Sequence, residues 1–147
     1  MASDIANIFL ADDDEDDCIF FQDALSELKF DVRLVVAKDG MQAMDILYQQ
    51  SPLPDIIFLD LNMPLKNGFE CLAEIKNDQK LTHMPVVIFS TSAQPMAIER
   101  AYQDGAWLYL RKPKTFNSLK AALKVIFEMK MTGNITQPSK EEFLIHT

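Results

Sequence analysis

Hydrophobic and polar positions follow two different periods along the chain. Five short apolar runs each lead into a longer segment whose apolar residues recur every three or four positions. A short apolar run is typical of a strand buried on both faces, and the longer spacing is typical of an amphipathic helix. The pattern therefore predicts five strands, at residues 5–11, 31–37, 55–60, 85–89 and 106–110.

The segments between and after these strands carry the signals of helix ends. Asp39 and Asn67 each stand three residues before a Gln or Glu, which is the spacing of a capping box. Pro95 suits the first turn of a fourth helix, and Gly105 suits the end of that helix. Gly133 suits the end of the fifth helix. Each predicted strand is therefore followed by one predicted helix.

Regular alternation of strands and helices predicts a single α/β domain with a mostly parallel sheet. Right-handed crossover connections place helices on both faces of such a sheet. We assign residues 1–133 to this domain. Residues 134–147 contain Pro138 and mixed charges, and we assign them to a C-terminal tail whose order the sequence leaves open.

Polar side chains stand where the predicted strands end. Asp12 and Asp13 follow the first strand, and Asp60 ends the third. Ser90 follows the fourth strand, and Lys112 comes shortly after the fifth. The carboxyl ends of parallel strands lie along one edge of the sheet, where open α/β folds keep their functional sites. We therefore expect these five side chains to converge although they are distant in sequence.

These residue types suit metal-dependent phosphoryl chemistry. Neighbouring carboxylates repel one another unless a cation compensates, and Mg²⁺ prefers a few carboxylate oxygens together with water and phosphate oxygens. A carboxylate such as Asp60 can attack phosphorus to give an aspartyl phosphate. The ammonium of Lys112 and the hydroxyl of Ser90 can then bind the phosphoryl oxygens. The sequence therefore predicts a phosphoryl acceptor that depends on Mg²⁺ or Mn²⁺.

Part of this pattern has simpler explanations. Asp12 begins a run of six acids, and acids in the first turn of a helix are stabilised by its dipole. This explanation is sufficient for residues 14–17, but it does not reach back to Asp12 and Asp13 at the strand end. Asp60, taken alone, suits the cap of a turn equally well.

Four segments that lie in order at strand ends resemble the receiver domain of response regulators, the phosphoacceptor part of two-component signalling. The similarity covers roughly residues 5–131 and is strongest to the stand-alone, single-domain type. It implies a flavodoxin-like, doubly wound fold with the strand order 2-1-3-4-5. The matching segments are IFLADD (8–13), FLDLNMP (58–64), PVVIFSTS (85–92) and GAWLYLRKP (105–113).

The resemblance implies a role for each residue at the sheet edge. Asp60 matches the aspartate that is phosphorylated in the family. Asp13 matches a direct ligand of the metal ion, and Asp12 matches its partner. Asn62 matches the position whose backbone carbonyl binds the metal.

The remaining roles concern phosphate binding and switching. Ser90 matches the hydroxyl that turns toward the phosphoryl group, and Lys112 matches the phosphate-binding lysine. The resemblance implies a cis peptide bond between Lys112 and Pro113. Tyr109 matches the aromatic switch residue whose ring moves inward with the hydroxyl. Simple packing within the fifth strand is the alternative for Tyr109.

Charge and composition limit the classes of partner. With 22 acidic and 14 basic residues, the chain has a net charge of −8, which argues against binding to nucleic acid or to an anionic membrane. The N-terminus shows no secretion signal, and no apolar run is long enough to cross a membrane. Cys18 and Cys71 have no metal-type spacing, which suggests reduced, buried thiols. These features indicate a cytoplasmic protein.

The resemblance implies a phosphorelay component that is not an enzyme. A sensor histidine kinase or phosphotransfer protein would donate the phosphoryl group, and helix four, strand five and helix five would bind a downstream protein. A homodimer through the same face is left open. Two alternatives remain, a scaffold that works without phosphorylation and a Mg²⁺-dependent phosphatase of the haloacid-dehalogenase kind. The second alternative lacks its usual general acid, because Asn62 stands where that class has an aspartate.

Overall fold

The structure is a computed structural model that describes residues 7–146. Its six strands form one parallel sheet in the order β2-β1-β3-β4-β5-β6. The strands are β1 Asn7–Ala11, β2 Arg33–Ala37, β3 Ile56–Leu59, β4 Val86–Ser90, β5 Leu108–Arg111 and β6 Leu144–Ile145. The helices are α1 Glu15–Glu27, α2 Gly40–Gln49, α3 Gly68–Asn77, α4 Pro95–Gln103, α5 Phe116–Met131 and α6 Lys140–Phe143.

Alternate residues of the central strands face two separate cores. On β3, Ile56 and Phe58 pack with α1 and α5, whereas Ile57 and Leu59 pack with α2 and α3. All four side chains are fully buried, which explains why the sequence of this strand is an unbroken apolar run and does not alternate between apolar and polar residues. The predicted α/β class, with helices on both faces, is confirmed.

The predicted capping boxes differ in detail. At α3, the Asn67 side chain accepts from the amide of Glu70, and the Glu70 carboxylate accepts from the amide of Asn67, both at 2.9 Å. At α2, the Asp39 side chain accepts from the amide of Gln42 at 2.7 Å. The Gln42 side chain, however, accepts from the amide of Lys38 instead of closing the box on Asp39.

The predicted strands lie within a few residues of the observed ones. Ile5 and Ala6, which the pattern assigned to the first strand, lie outside the described residues. β3 ends at Leu59, which leaves Asp60 directly at the carboxyl edge of the sheet. No helix within residues 7–146 is long and apolar enough to span a membrane.

The C-terminal segment forms structure that the sequence pattern did not predict. β6 pairs in parallel with β5, so the sheet has six strands rather than the expected five. The Phe143 side chain of α6 is fully buried against the rings of Tyr102 and Tyr109, with ring centroids 5.0 and 6.2 Å apart. A helix of four residues and a strand of two are too short to show a hydrophobic period, which is why they escaped detection.

Candidate functional site

Backbone hydrogen bonds continue one residue past the strands and fix the residues of the site. The amide of Asp12 donates to the carbonyl of Ala37 at 3.0 Å, and the amide of Asp60 donates to the carbonyl of Ala11 at 2.9 Å. The amide of Lys112 donates to the carbonyl of Ser90 at 2.8 Å. The three functional side chains therefore leave the same edge of one rigid sheet.

Three carboxylates converge at this edge as expected. Asp12, Asp13 and Asp60 each offer one oxygen, and these oxygens lie within 4.8 Å of one another. Asp12 is fully buried and Asp60 is 4% exposed, whereas Asp13 is exposed. The cluster is thus closed toward the protein and open on the side of Asp13.

The Lys112 ammonium lies among carboxylates. Its Nζ atom is 2.7 Å from Asp17 Oδ2, 2.8 Å from Asp12 Oδ2 and 3.2 Å from Asp60 Oδ2. Burial on its own would lower the pKa of Lys112, but hydrogen bonding to Asp12 and Asp17 and the charge of Asp60 raise it above its usual value. Lys112 therefore stays protonated and supplies a fixed positive charge beside Asp60.

Asp12 has an unusual electrostatic position. Burial raises its pKa from 3.8 to about 6, although the neighbouring Lys112 and the amide of Asp14 act in the opposite direction. Its Oδ1 atom accepts from the Asp14 amide at 3.0 Å. Its buried Oδ2 atom lies 2.8 Å from the Lys112 ammonium and has no other hydrogen-bond partner among residues 7–146. A buried carboxylate oxygen with free acceptor capacity, beside two further carboxylates, is a donor set that suits a hard divalent cation.

Ser90, Ser92 and Tyr109 form a second hydrogen-bonded group at the carboxyl end of β4. The fully buried Ser90 hydroxyl oxygen accepts from the amide of Ser92 at 3.2 Å. The Tyr109 hydroxyl donates to the carbonyl of Ser92 at 2.8 Å, and its ring is fully buried. Burial raises the pKa of Tyr109, partly offset by hydrogen bonding to the two serines, so the phenol stays neutral. The two predicted switch residues, Ser90 and Tyr109, are therefore linked through Ser92.

Two further expectations concern the loops. The amide of Asn62 donates to Asp60 Oδ1 at 3.3 Å, so the residue lies beside the carboxylate cluster. The prediction of a cis bond between Lys112 and Pro113 is wrong for this structure. Among residues 7–146, the cis peptide bond is the one between Ser51 and Pro52. The trans form is the more stable one for most bonds that precede proline.

Two residues of the site were not predicted. Asp17 was assigned only to the first turn of α1, but its carboxylate bonds to Lys112 across 95 residues of sequence. Phe143 was assigned to a tail, but it covers Tyr109. The sequence held no signal that set Asp17 apart from its neighbours, since an acid in a first helix turn is already explained by the helix dipole.

The doubly wound parallel fold, with a carboxylate cluster and a buried lysine at one sheet edge, defines the class of receiver-type signalling domains. Comparison with known proteins agrees. The model of the response regulator receiver domain matches residues 8–124. The chain belongs to this family and therefore to the proteins of two-component signalling.

Individual relatives extend the match over most of the chain. Response regulator Rcp1 of Synechocystis sp. is 37% identical over 117 residues, which are 76% of this chain and 80% of Rcp1. The phosphorylated cyanobacterial phytochrome response regulator RcpA has a TM-score of 0.80 at 36% identity, covering 92% of this chain and 99% of that chain. The Mn²⁺-bound form of Rcp1 has a TM-score of 0.78 at 32% identity, covering 91% and 99%. The predicted similarity to the single-domain type is confirmed.

Proposed function

We propose that this chain is a phosphoacceptor response regulator whose Asp60 receives a phosphoryl group from a phosphohistidine. The observation that carries the proposal is the position of Lys112, whose Nζ lies 3.2 Å from Asp60 Oδ2 in a nearly buried site. The Lys112 ammonium can bind phosphoryl oxygens directly beside the Asp60 carboxylate, which is the nucleophile.

The proposed transfer makes one bond and breaks one bond. A carboxylate oxygen of Asp60 forms the new O–P bond while the P–N bond of the phosphohistidine breaks. The electron pair of that bond stays on the imidazole nitrogen, which then takes up a proton. Lys112 turns from Asp60 to the phosphoryl oxygens and stabilises their charge. The product is an aspartyl phosphate at the sheet edge.

Asp12, Asp13 and Asp60 would hold a divalent cation, Mg²⁺ or Mn²⁺, together with the backbone carbonyl of Asn62. When bound, such a cation neutralises carboxylate and phosphoryl charge. Two observations support this assignment. The carboxylate oxygens lie within 4.8 Å of one another, and the buried Oδ2 of Asp12 has only the Lys112 ammonium as a partner among residues 7–146, so it can still accept a cation. The form of Rcp1 solved with Mn²⁺ agrees with the same choice of ion.

Phosphorylation would act on the switch group. The Ser90 hydroxyl leaves the Ser92 amide and donates to a phosphoryl oxygen, which changes the loop that also holds the Tyr109 hydroxyl. The signal then reaches the face formed by α4, β5 and α5, which we propose as the site of a downstream protein or of a second copy of the chain. The chain's own C-terminal segment occupies part of this face, since Lys140 pairs with Glu99 of α4 at 2.6 Å.

Several wider assignments belong to the same proposal. The donor is a sensor histidine kinase or a phosphotransfer protein, and nucleic acid and membrane are not partners. The chain assists only its own phosphorylation and dephosphorylation and is not an enzyme. It acts in the cytoplasm. Residues 1–133 form the receiver domain, and residues 134–147 form an accessory segment.

The test is the intact mass of the protein after incubation with acetyl phosphate, with and without Mg²⁺. We expect one phosphoryl group on the wild type with Mg²⁺ and none on Asp60→Asn. Asp16→Asn, which removes an exposed carboxylate from the neighbouring helix turn, is the matched control and should still be modified. Absence of any adduct on a folded wild type would favour the scaffold alternative. Continuous phosphate release from unrelated phosphate esters would favour the phosphatase.

A further inference from the structure

Asp17 is a carboxylate at the site to which neither the proposed phosphoryl transfer nor the metal assigns a role. It lies in the first turn of α1, and its side chain is 34% exposed. Its Oδ2 atom lies 2.7 Å from Lys112 Nζ, closer than the oxygens of Asp12 and Asp60. This contact is an oriented, charge-assisted hydrogen bond, since the ammonium donates directly to the carboxylate.

The three protons of the Lys112 ammonium have three carboxylate neighbours in this structure. An ammonium has three N–H donors, one for each of the three carboxylate oxygens within 3.2 Å. Two of these neighbours, Asp12 and Asp60, belong to the groups that would bind the cation and the phosphoryl group. Asp17 is the neighbour that both events leave in place.

We propose that Asp17 is a positioning residue that holds the Lys112 ammonium over Asp60 during phosphoryl transfer. The inference rests on the proposed function, because it acts through the lysine that binds the phosphoryl oxygens. A lysine side chain has four rotatable bonds and loses considerable entropy when its end is fixed. The hydrogen bond from α1 fixes that end before the donor arrives, which lowers the cost of reaching the transition state.

Comparison with Asp16 distinguishes the positioning role of Asp17 from a general effect of acidic charge. Asp16 stands on the same helix turn and is exposed, and no ion pair involving it is found among residues 7–146. A favourable interaction with the helix dipole would apply to both residues alike. A repulsive effect of acidic charge on the incoming phosphoryl group would also apply to both. Only the contact with Lys112 distinguishes Asp17.

The experiment measures the rate of phosphorylation by acetyl phosphate at saturating Mg²⁺ for three variants. We expect Asp17→Ala to slow the rate roughly tenfold, as the loss of one charge-assisted hydrogen bond would do. Asp17→Asn keeps an oxygen that accepts from Lys112, so it should recover much of the loss. Asp16→Ala should match the wild type. An Asp17→Ala protein that is phosphorylated as fast as the wild type, or faster, would overturn the proposal.

A double-mutant cycle tests whether Asp17 acts through Lys112. In a Lys112→Ala background, the further change Asp17→Ala should have no effect on the remaining rate, because the group that Asp17 positions is gone. An equal tenfold loss in both backgrounds would contradict the mechanism. Melting temperatures of the metal-free variants show whether each protein is folded. If the wild type itself accepts no phosphoryl group, the proposed function fails, whereas an active wild type with an equally active Asp17→Ala variant refutes only the role of Asp17.

Discussion

The buried Asp12 carboxylate is the residue at which stability and function conflict most clearly. Its pKa of about 6 in the folded protein lies above the usual 3.8, so the folded state holds the proton more tightly than the unfolded state. The free energy of unfolding contributed by this group is therefore highest below about pH 4 and falls as the pH rises through 6. A bound cation would offset the destabilisation caused by the buried, ionised Asp12 carboxylate, because it pairs with that charge.

The substitution Asp12→Asn tests this conflict. Without metal, we expect it to stabilise the protein at pH 7 by at most about 3 kcal/mol, because the neutral amide avoids the burial of charge while still accepting from the Asp14 amide. The difference from the wild type should vanish near pH 4. Urea unfolding at several pH values without Mg²⁺ measures both effects. A variant that is less stable than the wild type at pH 7 would show that the ion pair with Lys112 outweighs burial.

Gly68 allows the first turn of α3 to pack directly against the backbone of Asp60. A Cβ atom at Gly68 would lie only 2.2 Å from the backbone oxygen of Asp60. We expect Gly68→Ala to destabilise the protein by roughly 1–3 kcal/mol, since neither backbone segment can move freely. It should also slow phosphorylation by displacing Asp60.

Gly133→Ala is the matched control for this prediction. A Cβ at Gly133 would have no atom of residues 7–146 within 4 Å, so the substitution is unfavourable only because of the positive φ of 79° at the end of α5. Thermal melting and the acetyl phosphate assay measure both variants. Phosphorylation of Gly68→Ala at the wild-type rate would show that a Cβ at this position does not displace Asp60.

At the scale of elements, the C-terminal segment contributes to the core chiefly through Phe143, with Leu144 and Ile145 partly buried against it. Phe143 is fully buried against Tyr102 and Tyr109, and the Tyr102 hydroxyl donates to the carbonyl of Pro138 at 2.9 Å. We expect Phe143→Ala to cost about 3–5 kcal/mol of unfolding free energy, the usual range for truncating a buried aromatic ring. Ile135→Ala, in the same segment but 39% exposed, should cost far less. Equal melting temperatures for Phe143→Ala and the wild type would show that the segment does not pack as described.

The elements also show what a sequence can predict. Apolar runs and capping residues such as Asn67 are local signals, so five strands and five helices could be placed to within a few residues. The residues Asp12, Asp60 and Lys112 could be brought together because the order of a parallel sheet aligns strand ends. The pairing of Asp17 with Lys112 could not be predicted, because an acid in a first helix turn already has a sufficient local explanation. β6 could not be predicted because two residues carry no period.

At the scale of the whole molecule, the acidic cluster predicts a stability that depends on metal. Millimolar Mg²⁺ should raise the melting temperature by several degrees, because a cation that binds only the folded state stabilises it by mass action. Asp13→Ala should weaken this effect while leaving the metal-free protein as stable as the wild type or more so. Asp16→Ala, which changes the net charge of −8 by the same amount, is the control. A melting temperature that is indifferent to Mg²⁺ would count against the site.

The proposed transfer requires Asp60 itself to carry the phosphoryl group, and reductive trapping identifies the modified residue. After incubation with acetyl phosphate and Mg²⁺, borohydride converts an aspartyl phosphate into homoserine, and peptide mass spectrometry then locates the changed residue. We predict homoserine at position 60, dependent on both the donor and Mg²⁺. Homoserine at position 12 or 13 instead, or no conversion in a protein that has gained a phosphoryl group, would show that Asp60 does not carry that group.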